Sequence, residues 1–283
     1  MLRLGKAAAL CVWAILTSTL APGLCQAGEA LPEVSEVTRR LLERANVIAQ
    51  SEPVPQYTFD SHSILEKLDG GGKAIETEEK FYHVEWIAGF PFKRLVRIKD
   101  RELSPEELKE EQREEERFRE KVTSMNPRKM SERKESVVST DLLNRYRFEV
   151  KERIYLEGRP TLVVTFKAKQ GPDAGKTIRD KVLNRLEGTL WIDEVDADTA
   201  RVTITLVDPL TLGWLAILGS LTQCDYMLER RRMPEAVWVN NRQVFHIQFR
   251  KLTSTTHYRK TEQSSDFKKV EETIAAVHPG DTQ

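Results

Sequence analysis

From Tyr57 onward, apolar residues of this 283-residue chain recur again and again at every second position, and only one stretch recurs clearly at three and four. Successive side chains of a strand point to opposite faces, so alternation marks a strand with one buried face, while steps of three and four mark a helix. The alternating segments are Tyr57 with Phe59, Phe81 through Trp86, Leu95 to Ile98, Tyr146 with Phe148 and Val150, and Leu162 with Val164 and Phe166; they continue at 188–194, 200–208, 223–232, 242–252 and 253–262. Asp69-Gly70-Gly71-Gly72 and Glu157-Gly158 read as turns between them. The helical stretch carries Val34, Val37, Leu41, Ala45 and Ile48 on one face, opens at Pro32 and closes at Ser51-Glu52-Pro53-Val54-Pro55. Eight or more antiparallel strands with one clearly amphipathic helix predict an α+β fold, a curved antiparallel sheet packed on that N-terminal helix. The expected domain spans residues 28–262, with 263–283 a flexible tail.

A charged insertion at about 99–135 interrupts the alternation. Ser104 is a good N-cap, Pro105 fits the first helical position, Glu107 closes a capping box, and Leu103 with Leu108 forms the staple. A helix from 105 to about 122 follows, supported by pairs such as Glu115 with Arg119 at about 0.3 kcal/mol each. Only Leu108, Phe118 and Val122 could anchor it. A solvated helix that projects from the sheet and is dispensable for folding is therefore expected, with a partner-docking arm as the alternative.

Residues 1–27 have the form of a secretory signal peptide: Arg3 and Lys6, an apolar run from Ala7 to Leu20, and small residues at Cys25 and Ala27. The run falls short of the ~20 residues a spanning helix needs. Cleavage after Ala27 and a periplasmic mature chain without a transmembrane segment are expected; acylation at Cys25 is the alternative, disfavoured by Leu24 before it. Loss of the signal removes two basic residues and no acid, leaving 42 basic against 44 acidic. Such a balance is not built to hold a nucleic acid. Cys224 is then the single cysteine, so an internal disulfide is excluded and a small buried apolar role is expected.

Gly171-Pro172-Asp173-Ala174-Gly175-Lys176-Thr177 resembles a phosphate loop but is one residue short, and a Gly-rich turn is the better reading. His62, His83, His246, His257 and His278 show no metal-ligand spacing, and Asp193, Asp196 and Asp198 lack the glycine and distal glutamate of a calcium loop. No Gly-x-Ser-x-Gly elbow occurs. Neither a cofactor nor an enzymatic activity is expected.

The run from Pro209 to Leu221 is almost wholly apolar, punctuated by Gly213 and Gly219. It is too short to span a bilayer, which leaves a core helix, a flap over an apolar cavity, or a membrane-touching loop.

Four blocks, GFPFKRLV at 89–96, LSPEE at 103–107, LEGRP at 156–160 and LEGTLWID at 186–193, resemble exported bacterial proteins described as outer-membrane lipoprotein-sorting-like. The resemblance covers roughly residues 35–262. It implies the fold of the LolA, LolB, LppX and RseB group, a half-open antiparallel barrel closed by helices around an apolar cavity for acyl chains. The implied function is a non-enzymatic periplasmic binding protein for an acyl chain, lipid or lipoprotein anchor, with lipoprotein trafficking to the outer membrane as its setting. The alternative is an envelope sensor or interaction module with an envelope protein as partner. Candidate cavity or flap residues, chosen for size and strand position, are Trp86, Phe166, Trp191, Leu212, Trp214, Leu215, Leu218 and Tyr226.

Overall fold

A computed structural model describes residues 30–50, 56–124, 140–175, 177–212, 219–251 and 253–270. The signal segment 1–27, most of the insertion beyond Ser124, residues 213–218 and the last thirteen residues lie outside them. The elements are α1 (Val34–Gln50), β1 (Tyr57–Leu68), β2 (Ala74–Ile87), β3 (Phe90–Ile98), β4 (Arg101–Glu102), α2 (Pro105–Thr123), α3 (Thr140–Arg145), β5 (Tyr146–Leu156), β6 (Arg159–Ala168), α4 (Ile178–Leu183), β7 (Leu186–Asp193), β8 (Asp198–Leu206), β9 (Leu210–Leu212), β10 (Gly219–Arg232), β11 (Trp238–Arg250) and β12 (Thr255–Lys269).

The strands form one sheet in the order β4-β3-β2-β1-β12-β11-β10-β8-β7-β6-β5, with β9 paired beside β10. Every pairing is antiparallel, and the outermost strands β4 and β5 do not meet, so this is a curved sheet that stops short of a closed barrel. The first long strand pairs with the last, β1 with β12, which brings the two ends of the strand series together at mid-sheet.

Helix α1 covers one end of one face. Val37 and Leu41 pack with Leu162, Val164 and Ile192, and Phe148, Val150 and Leu190 close the cluster. Full burial of each such side chain is worth about 1.5–3 kcal/mol. Two arginines pin the helix to turns: Arg40 Nη2 donates to the Glu194 carbonyl at 2.6 Å and Arg44 Nη2 to the Ala236 carbonyl at 2.7 Å.

Helix α2 begins with the expected capping box between Ser104 and Glu107, but it does not project into solvent. Phe118 and Val122, one turn apart, pack on Ile87, Phe90 and Phe92, with the Phe92 and Phe118 rings 5.1 Å apart. Glu115, on the same stripe, pairs with Arg94 at 2.8 Å. The insertion's helix thus builds a second core cluster. Its docking was hidden because two apolar residues and an ion pair suffice to hold a stripe that otherwise looks solvated.

The boundary expected at residue 262 is also corrected, because β12 continues to Lys269. Ser264 pairs with Ser61 and Lys269 with Tyr57 in the β1 register. These added residues are mostly polar and carry no apolar period. Backbone pairing on a mid-sheet strand holds them instead.

Candidate functional site

The register of the sheet fixes which side chains share a face, since directly paired residues of antiparallel strands point the same way. Phe148 pairs with Phe166, Phe166 with Gly188, Gly188 with Ile204, Ile204 with Tyr226, and Tyr226 with Phe245. One row therefore crosses six strands on the face that α1 covers. A parallel row runs through Val150, Val164, Leu190, Val202 and Leu228. Under α1 these residues belong to the first core cluster. Beyond it, Val202, Ile204, Tyr226 and Leu228 are only half-buried, and Phe245 remains 37% exposed.

Of the residues singled out from the sequence, Phe166 and Tyr226 fall in this row. Tyr226 Oη donates to Gln243 Oε1 at 3.1 Å, and burial pushes its phenol pKa up. Trp191 lies on the opposite face, paired with Val163 and Arg201, whose guanidinium sits 5.5 Å from its ring centroid. Trp86, on β2, is separated from β6 by six intervening strands, its indole N–H bound to the Tyr57 carbonyl at 2.8 Å. Neither tryptophan joins the row. Leu212 is placed through its backbone, which pairs with Gly219; Trp214, Leu215 and Leu218 lie outside the described residues. Gly219 itself takes φ +101°, and a Cβ there would stand 2.6 Å from the Arg250 carbonyl, so glycine is required where the chain re-enters β10.

The sequence reading missed Ile204, Leu228 and Phe245. Their alternation was visible, but the order of the strands that aligns them was not. Cys224 shares the same face, paired with Ile247; burial pushes its thiol pKa up, with Asp225 adding to the effect, which opposes thiolate chemistry.

Toward β12, β1 and β2 the same face turns polar. Lys260 pairs with Phe245 and Leu65 in register, and Ser61, Ser63 and Ser264 are buried. Glu262 Oε1 receives both Lys260 Nζ at 2.7 Å and Lys93 Nζ at 2.9 Å. Burial alone pushes the Glu262 carboxyl up, but the two ammonium groups outweigh it and hold it below its ordinary value.

A separate cleft of about 790 Å³ opens where the β5–β6, β7–β8 and β10–β11 turns meet the far end of β12. Its walls carry Arg159, Arg201, Arg230, Arg231 and Arg232 with Glu157, Asp193, Glu229 and Asp266, beside Trp238, Asn241, Gln263, Ser264 and Ser265. Of the candidates named from the sequence, Trp86, Phe166, Trp191 and Tyr226 do not line it.

The Asp193, Asp196 and Asp198 trio forms the β7–β8 turn behind this cleft. Asp193 Oδ1 accepts from the amides of Val195 at 3.0 Å and Asp196 at 2.8 Å, and from Arg159 Nη2 at 2.8 Å. Asp196 binds Arg232 Nε at 2.5 Å and the Trp238 indole at 3.0 Å. Burial raises its pKa, yet these bonds and the charges of Arg232 and Arg159 hold it below the ordinary value. Asp198 takes Arg230 Nη1 at 2.5 Å. Each carboxylate is already committed to an arginine. Among the described residues no group of three or more His, Cys, Asp or Glu side chains is placed to hold a metal ion.

The loop at 171–175 is filled by the protein itself. Asp180 closes a capping box with Thr177 at the start of α4, and a Cβ on Gly175 would stand 2.4 Å from that of Asp180. Asn184 Nδ2 donates to the Ala174 carbonyl at 2.7 Å. That packing accords with a Gly-rich turn. No described helix is long and apolar enough to cross a membrane.

No protein-family model and no curated protein matches the chain. Among solved structures it is similar to a DUF1329 family protein from Desulfovibrio piger, at 10% identity over 84% of this chain and 94% of that one, with a TM-score of 0.35. It is similar also to a putative outer membrane lipoprotein-sorting protein domain from Vibrio parahaemolyticus, at 10% identity over 85% and 96%, TM-score 0.32. A third is a LolA superfamily protein from Nitrosomonas europaea, at 8% identity over 83% and 94%, TM-score 0.29. Their descriptions include the lipoprotein-sorting and LolA groups that the sequence blocks resemble. Superpositions this loose carry no weight for function, and the fold stands on the strand order and register given above.

Proposed function

We propose that this chain is a non-enzymatic, exported binding protein that holds an acyl chain, of a lipid or a lipoprotein anchor, against the α1-covered face of its sheet in the periplasm. The observation that carries the reading is the apolar row that continues past the helix through half-buried Ile204 and Tyr226 to the exposed Phe245, flanked by Val202 and Leu228. A row buried at one end and open at the other offers a hydrocarbon chain a surface continuous with the core. Each methylene laid on it and removed from water gains about 0.8 kcal/mol, so eight or ten outweigh the polar contacts available nearby. Lipoprotein trafficking toward the outer membrane is the setting this chemistry suits.

Phe245 provides the test. It is exposed enough to accept a charge without unfolding the sheet, so Phe245→Glu should weaken binding of a fluorescent fatty acid at least tenfold while the melting temperature stays within a few degrees. Leu212, Trp214, Leu215 and Leu218 belong to the same reading as an apolar cover, and Leu215→Glu should then reduce binding without loss of fold. If the wild-type chain binds no acyl probe, the reading fails and an interaction module becomes the better account.

A further inference from the structure

We propose that the arginine-lined cleft binds an organic phosphodiester, a site independent of the acyl-chain reading. Its volume, about 790 Å³, lies in the range of small-molecule sites. Five arginines line it, and Asp193, Glu229, Asp198 and Asp196 pair with four of them, which leaves Arg231 as the one without such a pairing among the described residues.

The cations are held in place before any ligand arrives. Arg201 is fixed by Glu229 at 3.0 Å, Arg230 by Asp198 and Arg232 by Asp196, each at 2.5 Å. A guanidinium offers five N–H donors in a rigid fork, so these pairings orient the groups and leave N–H donors over. Arg201 Nε is buried and donates to no acceptor among the described residues. The exposed Arg231 guanidinium, also on the lining, has no hydrogen-bond or ion-pair partner among them either. That guanidinium is free to take an anion.

Two further features select a diester over a bare ion. Trp238 is tethered through its indole N–H to Asp196 at 3.0 Å, which fixes a flat apolar wall beside the cations. Opposite, β12 breaks register with β1 at a bulge, where Asp266 takes φ +53° and Ser265 lines the cleft. A bulge re-aims side chains and is common beside binding sites. A phosphate carrying two organic substituents can meet the arginines and the tryptophan together; inorganic phosphate cannot.

The shared chemistry, an organic phosphodiester, comes from a phospholipid or from a free headgroup, and glycerol phosphodiesters serve as its probes. Calorimetric titration of the exported chain with glycerophosphoglycerol, with dihexanoyl phosphatidylglycerol below its micelle concentration, and with inorganic phosphate separates them. At least one diester should bind ten times more tightly than inorganic phosphate. Arg231→Gln, which breaks no hydrogen bond or ion pair among the described residues, should weaken it at least tenfold at an unchanged melting temperature, and Arg231→Lys should recover part of the loss. Tighter binding of the acylated diester supports a phospholipid source, and equal binding a free headgroup; both support the site. Absence of binding by either diester, or equal affinity of wild type and Arg231→Gln, would overturn it.

Discussion

Gly188 sits at the centre of the proposed binding row, between Phe166 and Ile204, and its replacement by alanine tests whether the sheet is registered as described. A Cβ at this position would stand 2.0 Å from the Thr203 carbonyl oxygen and 2.7 and 2.9 Å from the Phe166 ring. To reach ordinary van der Waals distance the β8 backbone must retreat by about 1.5 Å, and the ladder between β7 and β8 cannot open so far without weakening its hydrogen bonds. Overpacking against a side chain costs about 1–3 kcal/mol, and an obstacle made of backbone belongs at the upper end, near 3 kcal/mol. At about 2–4 °C per kcal/mol for a domain of this size, Gly188→Ala should lower the melting temperature by about 6–12 °C. Thermal unfolding followed by circular dichroism measures it. A second variant locates the obstacle: Phe166→Ala in the same chain should not restore stability, because the nearest clash is with the Thr203 carbonyl rather than the ring. A melting temperature within about 1 °C of wild type for Gly188→Ala would refute the pairing of Gly188 with Ile204 and the row built on it.

Two further outcomes are expected. His246 and His257 stack with ring centroids 4.6 Å apart, and the His246 pKa is depressed by burial, by His257 and by Arg259, against an opposing pull from Asp225. A histidine depressed in the fold leaves stability complete above its unfolded pKa near 6.5 and loses it as pH falls through the folded value, so the melting temperature should drop between pH 7.5 and 5.5, and His246→Gln should flatten that slope. For helix α2, Val122→Ala should cost about 2 kcal/mol in a denaturant titration, because Val122 is 4% exposed against Ile87 and Phe92; a negligible loss would restore the picture of a dispensable arm.

The alternation of apolar residues made the strands legible, as the capping box did the start of α2, because both signals are local. What joins distant segments was not legible. Strand order decides that Ile204, Tyr226 and Phe245 align, and no local pattern encodes it. Trp191 was chosen for size, yet it sits next to a register break between β7 and β8 and faces away from Leu190 and the row. Phe118 and Val122 gave too thin a stripe to announce a docked helix, and the polar end of β12 carried no period at all. The cleft draws its walls from turns and strands between Leu156 and Asp266, so its arginines looked like scattered surface charges until the fold brought them together.

Photocrosslinking tests the proposed acyl site most directly. A fatty acid with a diazirine on its chain, bound to the purified chain and irradiated, should label peptides of β8, β10 and β11 that contain Ile204, Tyr226 and Phe245, and excess unlabelled fatty acid should abolish the labelling. Labelling confined to the opposite face around Val163 and Trp191, or absent altogether, would contradict the account.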